Sequence, residues 1–451
     1  MSKSINLKKG LELNLLGAIT APEAPVDVPC KSVAIDPADF PGITPKLDVR
    51  EGDVVSVGSP LFHDKTYPSV VVTSPAAGKV SAVVRGERRK LLSVVIDIDQ
   101  EAPAPVKFTT TGITDDASAR ALLLSSGLWA MLRQRPYDVV PAPDAVIRDV
   151  FVTAWDAAPL APDFRLVLSD DLRYMEAGVA VLRRITKGKV YVGRDSRNPI
   201  HDIPGAEMVN VNGSYPASNA GVLAANVAPV NKGETILTLD ALILASIGRL
   251  MLAGHLVPSV VVAVTGPEIT KPLYVRTLPG APVRTLLDGR LSPDAASRHL
   301  RVISGNVLSG VSVGIDGYLR YPYRQVTVIP EGDDVAEFMG WASMAPGKMS
   351  QSRTFPGHFL RNRLFSPDAR INGGRRAIIM SGEYDKVLPM DIMAEYLIKA
   401  IISRDIDRME SLGIYEVAPE DFAAAEYVDT SKLELQRIVR EGLDYLRDEL
   451  R

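Results

Sequence analysis

The chain has 451 residues, a formal net charge of −3, five histidines and one cysteine. The balanced charge argues against a nucleic-acid partner. The lone Cys30 excludes intrachain disulfides, cysteine-ligated iron–sulfur clusters and cysteine-rich zinc sites. The histidines are scattered without metal-ligand spacing, so the sequence predicts no metal site. At roughly 150 residues per domain, the length predicts about three domains or slightly more.

Residues 49–83 carry the clearest structural pattern in the chain. Gly52 and Gly58 stand where turns need a positive φ, and Val54, Val55 and Leu61 are typical strand residues between them. The pattern predicts a biotinyl/lipoyl-like β-sandwich over residues 1–105. Carrier domains of this shape hold a modified lysine at a hairpin tip, but the flanks of Lys65 differ from such a site. We therefore interpret Lys65 as a solvated turn residue, with lipoylation as the alternative.

Residues 106–257 alternate between predicted strands and helices. After a proline- and threonine-rich linker at 102–112, we expect a helix at 117–133, and then strands and helices in turn from residue 146 to 264. A helix at 169–187 is expected to start at a Ser169/Asp170 cap. This alternation predicts a Rossmann-like, mostly parallel sheet. Neither GxGxxG nor GxxxxGK[ST] occurs, so we expect no phosphate-binding loop.

The sequence predicts no membrane span. The first ten residues include lysines but no apolar run follows them, so we expect no secretory signal. The most apolar segment, 236–254, is interrupted by Asp240 and Arg249, whereas a span needs about 20 predominantly apolar residues. We expect a soluble or peripheral protein.

The pattern over residues 258–335 predicts a small β-grasp module of the soluble-ligand-binding (SLBB-like) type. Residues 271–287 are expected to form a strand, a Pro-Gly turn and a short helix, with further strands at 301–304 and 324–329. Residues 336–451 predict a basic segment followed by a helical domain. There, Ser431 and Glu434 have the spacing of a capping box that opens a helix over 432–450.

The basic segment, residues 341–377, has seven lysines or arginines against one acid, Asp368, with three phenylalanines interleaved. Such a loop suits contact with a membrane-embedded partner or with anionic lipid headgroups. The alternative is a solvated loop. The candidate partner-binding residues are Arg361, Arg363, Arg375 and Arg376.

Several local strings, in this order, resemble one known family: the NqrA family, whose members are subunits of the bacterial sodium-translocating NADH:quinone oxidoreductase. They cover residues 50–62, 73–83, 126–129 with 135–137, 228–231, 266–267, 301–305, 381–384 and 388–392. The resemblance extends over essentially the whole chain. The chain departs from the family at residues 427–432, where relatives read Phe-Val-Cys-Pro-Gly-Lys and this sequence has no cysteine.

The resemblance implies a peripheral subunit on the cytoplasmic face of the bacterial inner membrane. Its partners would be subunits B to F of a six-subunit complex, mainly the membrane-embedded subunit that holds the quinone site. The complex oxidises NADH, reduces quinone and exports sodium. In the family the FAD, FMN, riboflavin and [2Fe–2S] centres lie in other subunits, so we expect no cofactor in this chain and no catalytic residue.

The resemblance also suggests a quinone contact. Family proposals place quinone near two segments, and the quinone-proximal candidates are Phe40, Pro41, Gly42, Ile43, Trp129, Arg135, Pro136 and Tyr137. The alternative is that these are packing and turn residues and that the chain is an assembly scaffold. An Rnf-type electron-transfer subunit without clusters is a further alternative, because one cysteine cannot ligate [4Fe–4S] centres. In the NADH-oxidising subunit of complex I a glycine-rich flavin loop stands where this chain has Leu128, Trp129, Met131 and Leu132, which suggests an emptied site.

Overall fold

The computed structural model describes residues 3–21, 23–99, 101, 103–333, 337–351, 355–360 and 363–450. Their strands are β1 (Lys3–Asn6), β2 (Val26–Asp27), β3 (Ser32–Ile35), β4 (Pro45–Leu47), β5 (Val54–Val55), β6 (Pro60–Asp64), β7 (Val71–Thr73), β8 (Gly78–Arg85), β9 (Leu91–Ile98), β10 (Arg133–Arg135), β11 (Ile147–Thr153), β12 (Val190–Asp195), β13 (Glu207–Asn212), β14 (Thr235–Asp240), β15 (Val260–Thr265), β16 (Leu273–Thr277), β17 (Leu300–Ser304), β18 (Val311–Ser312) and β19 (Gln325–Pro330).

The α-helices are α1 (Asp116–Ser126), α2 (Phe164–Val167), α3 (Leu172–Ile185), α4 (Ala220–Val227), α5 (Ala241–Ala253), α6 (Val283–Leu287), α7 (Tyr384–Val387), α8 (Ala394–Ser403), α9 (Ile406–Ser411), α10 (Ala423–Val428) and α11 (Leu435–Glu449). Within the described residues, no helix is both long and apolar enough to cross a bilayer.

The predicted β-sandwich is present. A four-stranded antiparallel sheet in the order β3-β9-β8-β5 packs on a three-stranded sheet, β4-β6-β7. Gly52 and Gly58 have φ values of +94° and +90°, as the turn pattern predicted. Phe62, Val80 and Ile96 are fully buried between the sheets. Lys65 is exposed just after β6.

The second domain contains the expected mostly parallel sheet, in the order β1-β13-β12-β11-β14-β10. Strands β1, β13, β12, β11 and β14 are parallel, and β10 pairs antiparallel with β14. Helix α3 buries Met175, Val179, Leu182 and Ile185, which recur at three- and four-residue steps as predicted. In the sheet, β12 and β13 follow β11 in one direction, whereas β14 lies on the other side of β11. The direction of the crossover connections therefore changes between β11 and β14.

The predicted helix at 117–133 is wrong in its second half. Helix α1 ends at Ser126, because Gly127 takes the left-handed conformation (φ +81°) and caps it. A short 3-10 turn (Leu128–Met131) follows, and the chain then enters β10. The change matters because it places residues 133–135 on the edge of the parallel sheet.

The third sheet has the order β18-β17-β19-β15-β16-β2. Strand β2 comes from the first thirty residues and pairs with β16, just as β1 pairs with β13 of the second domain. The predicted sandwich bounds of 1–105 therefore include two strands that belong to other sheets. Four-residue and two-residue strands carry too little pattern to be assigned from the sequence.

The carboxyl-terminal part, α7 to α11, forms its own helical cluster around Leu397, Phe422, Val439 and Leu443. Two predicted helix caps are wrong. Helix α3 starts after Asp171, whose carboxylate pairs with Arg249 at 2.6 Å instead of capping. Helix α11 starts at Leu435, because Ser431 Oγ donates to the Ala377 carbonyl at 3.0 Å and Glu434 pairs with Arg437.

Candidate functional site

The turn after β10 holds two residues in an uncommon backbone conformation. Tyr137 and Asp138 have φ values of +79° and +51°, in the left-handed region that non-glycine residues rarely occupy. Arg440 of α11 donates to the carbonyl oxygens of both residues, at 2.6 and 3.0 Å. The Gln134 amide N–H donates to the Val139 carbonyl at 2.8 Å and closes the turn. Strain of this kind persists only where the surroundings hold it, and it clusters at functional sites.

Arg135 is a packing residue and not a cavity residue. Its side chain is 1% exposed and pairs with Asp421, which is fully buried, at 2.9 Å. Trp129 is likewise fully buried, and its indole Nε1 donates to the Pro141 carbonyl at 2.9 Å. Pro136 is buried as well. For these three residues the packing interpretation fits the structure better than a ligand contact.

The loop at 36–43 is built around Asp39 and Phe40. Asp39 pairs with Arg320 at 2.7 Å, which fixes the loop on the third domain. Burial raises the pKa of Asp39, and the bond to Arg320 opposes that rise. Phe40 is buried and stacks on Tyr321, with ring centroids 5.7 Å apart. The Pro41 carbonyl accepts from Val140 N at 2.8 Å and ties the loop to the β10 turn.

Three cavities surround this loop. A central cleft of about 680 Å³ includes Pro41 in its wall, and an apolar cavity of about 110 Å³ includes Phe40. A third, which we name the Tyr137 cavity, has a volume of about 230 Å³ and brings together Gly42, Ile43 and Tyr137. The candidates Phe40 to Ile43 therefore separate three spaces instead of lining one.

The Tyr137 cavity lies between the sandwich, the β10 turn and the last helix. Its wall is made by Gly42, Ile43, Asp64, Tyr67, Val70, Gln134, Tyr137, Val139, Val140, Pro141, Ala142, Arg447 and Leu450. Burial, with a smaller effect of the Glu410 carboxylate, raises the pKa of Tyr137, so its hydroxyl remains a hydrogen-bond donor at neutral pH. Each carboxylate oxygen of Asp64 accepts one backbone hydrogen bond, from Thr44 N at 2.8 Å and from Tyr67 N at 3.1 Å.

The central cleft is more highly charged. It opens at the carboxyl ends of β11 and β14, where open α/β sheets commonly bind ligands. Asp156, Asp240, Glu420, Arg320 and Arg324 all border it. The Glu420 side chain is half exposed, and partial burial of its carboxyl group together with the Asp421 carboxylate raises its pKa. Charges of both signs make this cleft a poor fit for a neutral ring.

The basic segment is partly neutralised by acids outside it. Lys348 and Arg370 both reach Glu337 at 3.3 Å, and Arg375 pairs with Glu434. Arg376 Nε donates to the Thr430 carbonyl at 3.0 Å. Arg363 is exposed beside the Phe365 ring. Arg361 lies outside the described residues.

The same part of the chain exposes large apolar side chains. Phe338 and Phe359 are 90% and 77% exposed. Met339, Met344, Leu364 and Ile371 are also more than half exposed. An exposed apolar set of this size, with arginines beside it, is typical of a surface that meets a partner.

Sequence reasoning missed Arg447 and Gln134, which border the Tyr137 cavity from α11 and β10. No sequence pattern marks them, because Arg447 is one of several charged residues on an amphipathic helix. The glycine at position 42 was the one signal in the sequence, because a glycine can mark a close approach of other groups to the backbone. In the structure a Cβ there would lie 3.0 Å from Arg447 Nη1 and 2.8 Å from Val139 Cβ.

Among the described residues, no three His, Cys, Asp or Glu side chains are placed to hold a metal ion. Cys30 is half-buried, and burial raises the pKa of its thiol. The chain is therefore a multidomain α/β protein, in which a barrel-sandwich domain, a mostly parallel-sheet domain and an SLBB-type sheet are joined to carboxyl-terminal helices.

Comparison with known proteins identifies the family. Residues 5–99 match the NqrA N-terminal barrel-sandwich hybrid domain, residues 114–256 the NqrA second alpha/beta domain, and residues 261–314 the NQRA C-terminal domain. The NqrA subunit of the Na(+)-translocating NADH-quinone reductase of Serratia proteamaculans is 36% identical over 454 residues, which cover 99% of this chain and 100% of that protein. The NqrA subunits of Neisseria meningitidis serogroup B and Histophilus somni are also 36% identical, over 459 and 456 residues, with the same coverage.

The chain therefore belongs to the NqrA family of the Na⁺-translocating NADH-quinone reductase. It is a subunit of the respiratory complex that couples NADH oxidation by quinone to sodium transport. This confirms the resemblance noted in the sequence.

Proposed function

We propose that this subunit forms one wall of the quinone-reduction site of the complex and holds no redox cofactor itself. One observation carries the first part: Gly42 and Ile43 from one segment, and Tyr137 from another, converge on the Tyr137 cavity. Both segments are also the ones that the family resemblance indicates. The strained turn that presents Tyr137 adds support.

The size and lining of the Tyr137 cavity suit a quinone headgroup. Pockets for whole drug-sized ligands usually measure roughly 300–1,000 Å³. At about 230 Å³ this cavity has room for one substituted ring, and the isoprenoid tail would lie outside. Val70, Val139 and Pro141 supply apolar wall, and Asp64, Tyr67, Gln134, Tyr137 and Arg447 supply polar groups that could orient a ring. The central cleft is larger but crowded with charge.

The test uses the assembled complex with Tyr137→Ala or Ile43→Ala. We expect the apparent quinone KM to rise five- to thirtyfold, the size expected for a lost contact worth about 1–2 kcal/mol. NADH oxidation by an artificial acceptor upstream of quinone should stay normal. Tyr396→Ala, an exposed tyrosine on α8, is the matched control. Phe40→Ala is unsuitable, because losing that buried ring would destabilise the fold. Shifts below twofold in fully assembled complex would overturn the proposal.

The second part, the lack of a cofactor, is supported by the single cysteine and by the missing phosphate loop. The purified protein should show no stoichiometric flavin absorbance and no bound iron or zinc by elemental analysis. A flavin band at one equivalent would refute it.

An assembly role is the second candidate function, and the exposed apolar residues at 338–371 favour it. In this proposal the chain sits on the cytoplasmic face of the bacterial inner membrane, and among subunits B to F its main contact is the membrane-embedded one that holds the quinone site. Exposed phenylalanines beside Arg363 suit such a contact. Phe338→Ser with Phe359→Ser should reduce co-purification with the membrane subunits and leave the circular dichroism spectrum unchanged. Full recovery of the complex would argue against this surface.

A further inference from the structure

Arg447 is an unusual arginine. Its side chain on α11 is only 19% exposed, yet none of its donors makes a hydrogen bond within the described part of the chain, and its Nε is fully buried. The nearest carboxylate oxygens, on Asp444 and Asp448, lie at 3.8 and 3.9 Å. A buried charged donor without a hydrogen bond lowers the stability of the fold. Such a group therefore calls for an explanation, such as a ligand that accepts the missing bond.

A neighbour on the same helix, Arg440, differs in its two Nη atoms, which are both hydrogen-bonded, although its Nε, like that of Arg447, is buried without a hydrogen-bond partner among the described residues. Arg440 lies two turns before Arg447 on the same face of α11, and it donates to Tyr137 O, Asp138 O and Asp444 Oδ1 at 2.6–3.0 Å. The two arginines therefore have different surroundings near the β10 turn. Arg440 holds the strained backbone, and Arg447 borders the cavity beside it with its donors unused.

The chain makes room for this guanidinium. A Cβ on residue 42 would lie 3.0 Å from Arg447 Nη1, and the φ of Gly42 is +90°. The positive φ favours glycine there, and a side chain would also displace the guanidinium and meet Val139 Cβ at 2.8 Å. A second donor borders the same cavity: Gln134 Nε2 is 3.5 Å from the Pro136 carbonyl, the limit of a hydrogen bond. The remaining wall is mostly apolar or aromatic.

We propose that Arg447 donates the hydrogen bond that anchors a carbonyl oxygen of the quinone headgroup in the Tyr137 cavity, with Gln134 as the second donor. This inference rests on the proposed function and names the groups that hold the ring. A guanidinium suits the task because it presents several donors in a fixed plane and has no acceptor. A headgroup with two carbonyl oxygens matches two donors in a cavity whose other side chains, apart from Asp64 and two tyrosines, are apolar.

The test measures ubiquinone-1 kinetics of the purified complex carrying Arg447→Gln. We expect the apparent KM to rise at least tenfold, the size expected for losing a bond from a charged donor. Arg447→Lys should give a smaller rise, because a point charge replaces the planar fork. Arg437→Gln, an exposed arginine on the same helix, is the matched control. NADH oxidation by an artificial acceptor should be the same in all of them.

A second measurement uses the wild-type complex and needs no variant. Phenylglyoxal modification of Arg447, followed by peptide mass spectrometry, should slow at saturating ubiquinone-1, whereas modification of Arg437 should not. Absence of protection, or a KM for Arg447→Gln within twofold of wild type, would overturn the inference. If Tyr137→Ala raises the KM and neither Arg447 result appears, quinone occupies the cavity without this anchor. If Tyr137→Ala also has no effect, the proposed function fails as well.

Discussion

The buried pair Arg135–Asp421 should be the main electrostatic tie between the parallel sheet and the carboxyl-terminal helices. The two side chains are 1% and 0% exposed and lie 2.9 Å apart. Replacing Arg135 with Met keeps an apolar stem of similar length and removes the charge. Asp421 then keeps only two neutral donors within the described part of the chain, Ala418 N at 2.9 Å and Asn219 Nδ2 at 3.1 Å.

The expected loss is large because no water can replace the guanidinium easily. A Cβ added to Gly221 would lie 2.5 Å from Asp421 Oδ2, so this region is tightly packed. Breaking a buried pair by removing one partner typically costs about 3–5 kcal/mol. Each 1.4 kcal/mol is about tenfold in an equilibrium constant. Local opening of the carboxyl-terminal helices should therefore become roughly two to three and a half orders of magnitude more frequent.

Hydrogen exchange is the appropriate assay, because a single unfolding midpoint is poorly defined for a chain of several domains. Amides of α10 and α11 should exchange roughly two to three and a half orders of magnitude faster in Arg135→Met, whereas amides of β8 and β9 in the sandwich should be unchanged. Adding Asp421→Asn should recover part of the protection, since it removes the uncompensated charge. Exchange rates in α11 within tenfold of wild type would refute the reasoning.

Three other changes have expected outcomes. Burial, reinforced by Asp391, raises the pKa of Glu416 to about 6 from its ordinary value of 4.5. The folded state therefore favours the protonated carboxyl, and its contribution is complete below pH 4.5 and lost as the pH rises through 6. Glu416→Gln should flatten the loss of amide protection in α9 and α10 over that range and Glu441→Gln should not; equal slopes would contradict the shift. Gly42→Ala should speed amide exchange around residue 42 and raise the quinone KM. Gly233→Ala, also at positive φ but with nothing within 4 Å of the added Cβ, should speed exchange around residue 233 through backbone strain alone and leave the KM unchanged; equal effects on the KM would contradict a cavity contact at residue 42. Reversing Arg363, Arg375 and Arg376 to Glu should weaken assembly without altering the fold, because exposed pairs contribute only about 0–1 kcal/mol; unchanged co-purification would count against the basic segment.

The strands and the parallel sheet were predictable because their signal is local and repeated. Strand β9 (Leu91–Ile98) and helix α3 matched their patterns closely, since apolar periodicity reports directly on a buried face. The helix caps were not predictable. Asp171 and Ser431 take tertiary partners, Arg249 and the Ala377 carbonyl, which a sequence pattern does not show.

The candidate site was predictable only in part, for a similar reason. Resemblance indicated two segments, and the structure shows that three of their eight residues share the Tyr137 cavity while Trp129 and Arg135 are packed elsewhere. Whether a residue borders a cavity depends on how domains meet. Arg447, more than 300 positions from Tyr137 in the sequence, illustrates this most clearly.

The placement of β1 and β2 has a consequence for how the chain folds. Lys3 pairs with Val209 and Val26 pairs with Val275, so each strand must find a partner that is synthesised about 200 residues or more after it. Contacts of such long range form late, because the loop-closure entropy is lost before the pairing is gained. Strands β1 and β2 should therefore stay unpaired during synthesis until β13 and β16 have been made. Strand β1 is short and mostly polar, Lys-Ser-Ile-Asn, which makes it a poor template for aggregation during that wait.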